Sequence, residues 1–258
     1  MTELGTIRFW FPSTHRDNQS PRNQFCRLEA RIGKVEALNI NSDSCEFCEE
    51  LSGASDSRFR KIYGPEFLDR TALESGALVV WPTIGQLFPN SFLILPHRHV
   101  ERFADLNSAE LDDFSAVVER LWNGCGAPEH YLLFEHGARA CSGAGCGIYH
   151  CHVHFVPLPD SLSAPLLFPF GHHTHESLLD AWAFHRDGGN YILIRDTLGK
   201  ISSIGEQSLS THNIGSQYVR RKLAEIFDVQ RPWDWREYDS PEHDLQSAYK
   251  ELRFSGVS

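Results

Sequence analysis

Three histidines alternate with other residues in His150-Cys151-His152-Val153-His154, and Phe155-Val156-Pro157 follows; no other stretch constrains this chain as much. On an extended strand successive side chains point to opposite faces, so the three imidazoles project together from one side. The intervening residues are apolar and β-prone, and Pro157 and Pro159 end the run, which predicts a strand over His150 to Pro157. A face carrying three imidazoles is not ordinary core. Histidine is abundant, 14 of 258 residues, and chance alone would place such a triple in roughly 4 chains in 100 of this composition, so further signals are needed.

They are present upstream. Cys45-Glu46-Phe47-Cys48 is a C-x-x-C, and Pro96-His97-Arg98-His99 closes the apolar run Ser91 to Leu95. Phe134-Glu135-His136-Gly137 reads as a turn, and Ser142-Gly143-Ala144-Gly145-Cys146-Gly147 as a glycine-rich loop just before the histidines. With these pieces in this order, the chain resembles the histidine triad superfamily of nucleotide hydrolases and transferases. The resemblance covers roughly residues 45 to 160. It implies an α+β fold, an antiparallel sheet with packed helices, to which a smaller C-terminal α+β lobe would be added.

Composition fits a soluble enzyme of this kind. A hydrophobic content of 41% allows a sizeable core. The net charge of −10 argues against a nucleic-acid polymer or an anionic membrane as main partner, since both require clustered Lys and Arg. Seven cysteines and a start, Met1-Thr2-Glu3-Leu4-Gly5, without a basic and apolar leader point to a reducing cytoplasm. A homodimer is among the expected assemblies.

Along the chain, residues 1–42 read as an N-terminal arm or linker, 43–160 as the catalytic domain and 161–258 as the C-terminal extension. Arg27 to Ile40 reads equally as strand or short helix. Strands are expected around Lys61 to Tyr63, over Ala77 to Pro82, Phe92 to Leu95 and Tyr131 to Phe134. A helix capped by Asn107 or Ser108 should carry Leu111, Phe114, Val117, Val118 and Leu121 until Gly124. Later come a helix over Glu176 to Arg186, strands over Asn190 to Arg195 and from Ile201, a helix over Gly215 to Phe227 and a surface helix over Pro241 to Arg253.

The resemblance implies that Cys45, Cys48, His99 and His150 form a tetrahedral zinc site. Two thiolates and two neutral imidazoles make a closed structural shell. The competing reading is a redox C-x-x-C, but Asp43, Glu46, Glu49 and Glu50 surround these thiols and oppose the thiolate such a motif needs. His172-His173-Thr174-His175 is read as solvated loop, His97 as surface, and a functional Cys141–Cys146 disulfide is disfavoured.

With His150 on the metal, the resemblance makes His152 the nucleophile that attacks the α-phosphorus of a nucleotide, with His154 assisting the leaving group or lining the phosphate pocket. Gly145, Cys146 and Gly147 would offer backbone N–H groups to phosphate oxygens. The family commonly has a polar pair where this chain has Cys146-Gly147. Trp81-Pro82-Thr83 lies where base and ribose contacts come, and Phe134-Glu135-His136-Gly137 is similar to the Phe-Glu-Asn of the galactose-1-phosphate uridylyltransferase branch. Trp81 and Glu135 are therefore expected among the substrate-binding residues. That branch ends its triad in Gln, whereas His154 stands here, as in the hydrolases. Arg220 or Arg236 can reach a second phosphate or sugar group, or serve a helix face and a surface tryptophan pair.

These expectations add up to a nucleotide hydrolase working through a nucleotidyl-His152 intermediate on a nucleotide or nucleotide conjugate. Two alternatives stand beside it: a nucleotidyltransferase or phosphorylase with a sugar phosphate or orthophosphate as acceptor, and a zinc- and nucleotide-binding protein without turnover.

Overall fold

In a computed structural model, the described residues are 45–63, 70–139 and 148–237. The glycine-rich loop with Gly145, Cys146 and Gly147, the N-terminal arm and the helix expected over Pro241 to Arg253 lie outside them.

The fold is α+β and is built on an antiparallel sheet of eight strands among these residues. In chain order the strands are β1 (Leu73–Ser75), β2 (Leu78–Pro82), β3 (Phe92–Pro96), β4 (Tyr131–Gly137), β5 (Val153–Pro157), β6 (His173–His175), β7 (Tyr191–Arg195) and β8 (Ile201–Gly205). Their spatial order is β1-β2-β3-β5-β4-β7-β8-β6. The triad strand β5 is thus central, with Leu93 and Phe134 both opposite His154. The expected C-terminal extension contributes β6, β7 and β8 to the same sheet, through the pairing of β7 with β4.

Strand parity gives the sheet two unlike faces. Phe92, Ile94, Leu133, Val153, Phe155 and Leu193 pack into one core with helices α4 (Phe114–Gly124) and α6 (Leu178–His185), through Phe114, Val117, Leu121 and Trp182. On the opposite face two smaller cores stand apart. Val79, Trp81, Leu93 and Leu95 join Cys45, which precedes α1 (Glu46–Leu51), and Phe47 in its first turn. Phe134, Val156, Ile192 and Ile194 pack with Leu167 of α5 (Ala164–Leu167), Leu209 of α7 (Glu206–Thr211) and Tyr218, Val219 and Leu223 of α8 (Tyr218–Ile226). Between these two cores the sheet floors a cleft.

Local chemistry explains where the elements differ from expectation. The segment through Lys61 is a helix, α2 (Arg58–Tyr63), because Ser57 starts it: its carbonyl accepts from Lys61 N and its hydroxyl from Arg60 N. The helix expected from Ser108 to Gly124 is two, α3 (Ser108–Leu111) and α4. Asn107 and Glu110 form a reciprocal capping box on the first. The break falls at Asp112-Asp113, where Asp113 closes over Gly76, a glycine at φ +55° in the β1–β2 turn that a Cβ would block. Phe134-Glu135-His136-Gly137 is not a turn but continues β4, and the Tyr191 ring lies where a Cβ of Gly137 would be. His172-His173-Thr174-His175 is not all loop. His173 to His175 form the edge strand β6 on β8, with His175 Nε2 2.7 Å from Ser203 Oγ.

The triad strand itself is shorter than expected. It begins at Val153, because the residues before it have other partners: Cys151 N donates to Val100 O (2.6 Å) and His150 Nε2 to Pro96 O (2.9 Å). No helix among the described residues is long and apolar enough to cross a membrane.

Candidate active site and metal centre

Cys45, Cys48, His99 and His150 come together at one end of the cleft, their ligand atoms all within 4.8 Å of one another. Cys45 and Cys48 bracket the start of α1, His99 follows β3, and His150 precedes β5, so segments distant in sequence converge on one point. A carbonyl can only accept, so the bond to Pro96 O puts the proton of His150 on Nε2 and leaves Nδ1 facing the thiols. That Nδ1 lies 3.6 Å from Cys45 Sγ and 3.5 Å from Cys48 Sγ, and His99 Nδ1 lies 3.3 Å from Cys48 Sγ. A tetrahedral ion with bonds of about 2.3 Å to sulfur and 2.0 Å to nitrogen sets its S and N ligands about 3.5 Å apart. The donor set therefore fits a tetrahedral metal. Burial, and next to it the neighbouring Cys45, pushes the Cys48 thiol up to about 12. A bound cation would offset the charge that this burial opposes.

Two residues further on, His152 turns into the cleft. Its Nδ1 donates to the carbonyl of His150 (2.7 Å), which fixes the tautomer and leaves the lone pair on Nε2. Phe47 sits against both His150 and His152, with ring centroids 5.8 and 5.4 Å away. One aromatic ring thus touches both histidines. His154 also lines the cleft, its ring centroid 5.1 Å from that of His152. It stacks on Phe134 at 4.2 Å and 6° between planes. Burial, then the nearby His152 and Arg220, holds this imidazole well below its ordinary pKa, so it is neutral near pH 7.

The cleft encloses about 820 Å³ of atom-free space, its open mouth included. One wall carries Phe47, Phe59 and Arg70, and the other carries Tyr218, Val219 and Arg220 of α8. Arg70 donates to both carboxylate oxygens of Glu50 and to Pro82 O, with its guanidinium 4.4 Å above Trp81. Arg220 donates to the carbonyls of Trp233 (2.9 Å) and Gly85 (2.7 Å). Burial lowers its pKa to about 10. It lines the cleft, while the exposed Arg236 pairs with Asp234. Trp235, half-buried, lies at the mouth with Arg58 4.3 Å over its ring.

Two residues expected at the substrate do not line this cleft. Trp81 is buried beneath Arg70, its Nε1 donating to Thr71 Oγ1. Glu135 lies on the other face of the sheet, as its strand parity relative to Phe134 requires. There its carboxyl accepts from Phe103 N, Trp182 Nε1 and Tyr191 OH, each at 2.8 Å. Burial outweighs these donors and raises its pKa to about 7.

Residues that the sequence did not single out complete the cleft: Phe47, Arg70, Tyr218 and, next to Glu135, His136. Parity was the available signal. Once Phe134 is placed opposite His154, His136 must share their face. Thr83, expected near the ribose, does line the cleft, and its buried Oγ1 has no partner among the described residues.

No model of a known protein family matches the chain. The rat galactose-1-phosphate uridylyltransferase is 30% identical over 95 residues, 34% of this chain and 25% of that protein. The chain thus matches about a quarter of the length of this relative. Similar solved structures include a zinc-bound histidine triad family protein from Mycobacterium smegmatis, 18% identical, covering 57% of this chain and 93% of that one at a TM-score of 0.34. A HIT family protein from Bacillus anthracis is 19% identical, covering 56% and 89%, at a TM-score of 0.36.

Proposed function

We propose that this chain is a histidine triad enzyme that cleaves a nucleoside phosphoanhydride or phosphoramidate at the α-phosphorus, with His152 as nucleophile and water as final acceptor. The observation that carries this reading is the bond from His152 Nδ1 to the His150 carbonyl, which presents Nε2 to the cleft as a lone-pair nitrogen. In the first half-reaction Nε2 attacks phosphorus, a P–N bond forms, and the P–O or P–N bond to the leaving group breaks. In the second, water attacks the same phosphorus, the P–N bond breaks, and nucleoside monophosphate leaves. His154 is poised to hydrogen-bond the departing or entering group. Anionic phosphate beside it raises its proton affinity at the moment a proton is needed.

Zinc is the metal we assign to Cys45, Cys48, His99 and His150, on the S₂N₂ donor set and its spacing. Its role is structural: it fixes the His150 backbone, and the carbonyl of that residue orients His152. Gly145, Cys146 and Gly147 are proposed to hold phosphate oxygens through their backbone N–H groups.

The transferase alternative draws on the local likeness to the rat uridylyltransferase. Product analysis in oxygen-labelled water separates the two, on a panel of nucleoside polyphosphates, nucleoside phosphoramidates and nucleotide sugars. Hydrolysis puts one solvent oxygen on the released nucleoside monophosphate. Consumption of added phosphate or sugar phosphate into an unlabelled new nucleotide would replace water with that acceptor.

A further inference from the structure

His136 is an imidazole to which the reaction just described gives no role. It lies on β4 two residues past Phe134, on the sheet face that carries Phe134 and His154, and close enough to His152 for the two imidazoles to interact electrostatically. It lines the cleft, and its Nε2 is buried without a hydrogen-bond partner among the described residues. An unpaired buried nitrogen costs about 1–3 kcal/mol, and a neutral imidazole that merely filled space could be replaced by an apolar residue without that cost. A bound ligand would satisfy it.

We propose that His136 is a third imidazole of the reaction centre, whose Nε2–H donates to a non-bridging oxygen of the phosphoryl group attacked by His152. The inference rests on the reading of His152 as nucleophile. Burial keeps His136 neutral, so it acts as a fixed dipole. A donor beside the attacked phosphorus gains strength as charge gathers on the phosphoryl oxygens in the transition state. The same burial makes it unsuited to carry a positive charge into an empty site.

Loss of a donor of this kind typically costs about 100-fold or more in turnover. His136→Leu is therefore expected to lower kcat about 100-fold with KM little changed, and to slow labelling of His152 by α-phosphorus-labelled nucleoside phosphoramidate equally. His136→Gln carries an amide nitrogen where Nε2 was and should recover most of the loss. His136→Asn, whose amide ends short of that point, should not. Zinc content and melting temperature serve as folding controls, and if His136→Leu fails to fold, the Gln and Asn variants decide alone. Wild-type labelling rate in His136→Leu, or equal rates in the Gln and Asn variants, overturns the role of His136 and leaves the nucleophile standing. Absence of label on His152 in the wild-type protein overturns the reading beneath both.

Discussion

Glu135 and His136 are neighbours on one strand and face opposite ways, and the two faces treat a buried polar group differently. On the closed face, the Glu135 carboxyl takes three hydrogen bonds that tie Phe103, Trp182 and Tyr191 to the sheet. On the open face, the Nε2 of His136 is buried with no partner among the described residues, in the cleft that His152 and His154 also line. A satisfied buried group is framework, and an unsatisfied one in a cleft is a place for a ligand. The same contrast divides the triad. His150 has both ring nitrogens committed, one to Pro96 O and one to the thiol cluster, while His152 uses one to fix the other.

Substitutions on the two sides of this division should fail in different ways. The largest expected effect is on the open face, where His152→Ala should reduce turnover at least about a thousandfold, with the melting temperature nearly unchanged. Equal losses of stability and activity would erase the distinction between His152 and His150. At the metal end, Cys48→Ser should abolish stoichiometric zinc and cost on the order of 3 kcal/mol of stability, seen by elemental analysis and denaturant unfolding. A metal-free native protein of unchanged stability would remove zinc from the account.

On the closed face, Glu135→Leu leaves the Phe103 N–H, the Trp182 indole and the Tyr191 hydroxyl without their acceptor, at about 2 kcal/mol. Activity should fall only through the folded fraction. A turnover defect in fully folded Glu135→Leu would return Glu135 to the substrate site.

The smallest effect is in pH dependence, where the two neighbours have opposite signs. Burial raises Glu135 to about 7, so between about 4.5 and 7 the folded state holds a proton that the unfolded state has released. Its contribution to stability therefore falls as pH rises through that window. His136 and His185 are pushed down to about 4, chiefly by burial, so between about 6.5 and 4 the unfolded state binds protons first. Their contribution is full above 6.5 and is lost as pH falls. Glu135→Gln removes the opposing slope, so acid should destabilise it more steeply than wild type between pH 7 and about 4.5. Parallel curves would contradict the assignment of Glu135 as a buried acid.

Much of this arrangement is legible in the sequence, and what is not has identifiable reasons. The central strand and its flanking strands follow from spacing and alternation, and the grouping of the four Cys and His residues follows from the family resemblance. The local misreadings come from partners distant in the chain. Nothing near Gly137 announces that Tyr191 will cover it, and nothing near His150 announces that the Pro96 carbonyl will accept its Nε2–H. Ser57 was a local signal for α2, outweighed by the β-prone Ile62 and Tyr63 after it. The cleft's second wall comes from α8, whose Arg220 reads in sequence either as a phosphate or sugar contact or as one residue of a helix face. Its burial against Gly85 and Trp233 depends on how the C-terminal strands join the sheet.

The central claim is that one histidine of the triad carries the nucleotidyl group, and it can be read directly. Wild-type protein mixed with α-phosphorus-labelled nucleoside phosphoramidate, quenched in base within one turnover and analysed by peptide mass spectrometry, should carry the nucleoside monophosphate mass on His152 alone. The adduct should vanish in His152→Ala and chase into product on further incubation of wild type. A label on His154 or His136, or turnover with no labelled histidine at all, would contradict the account.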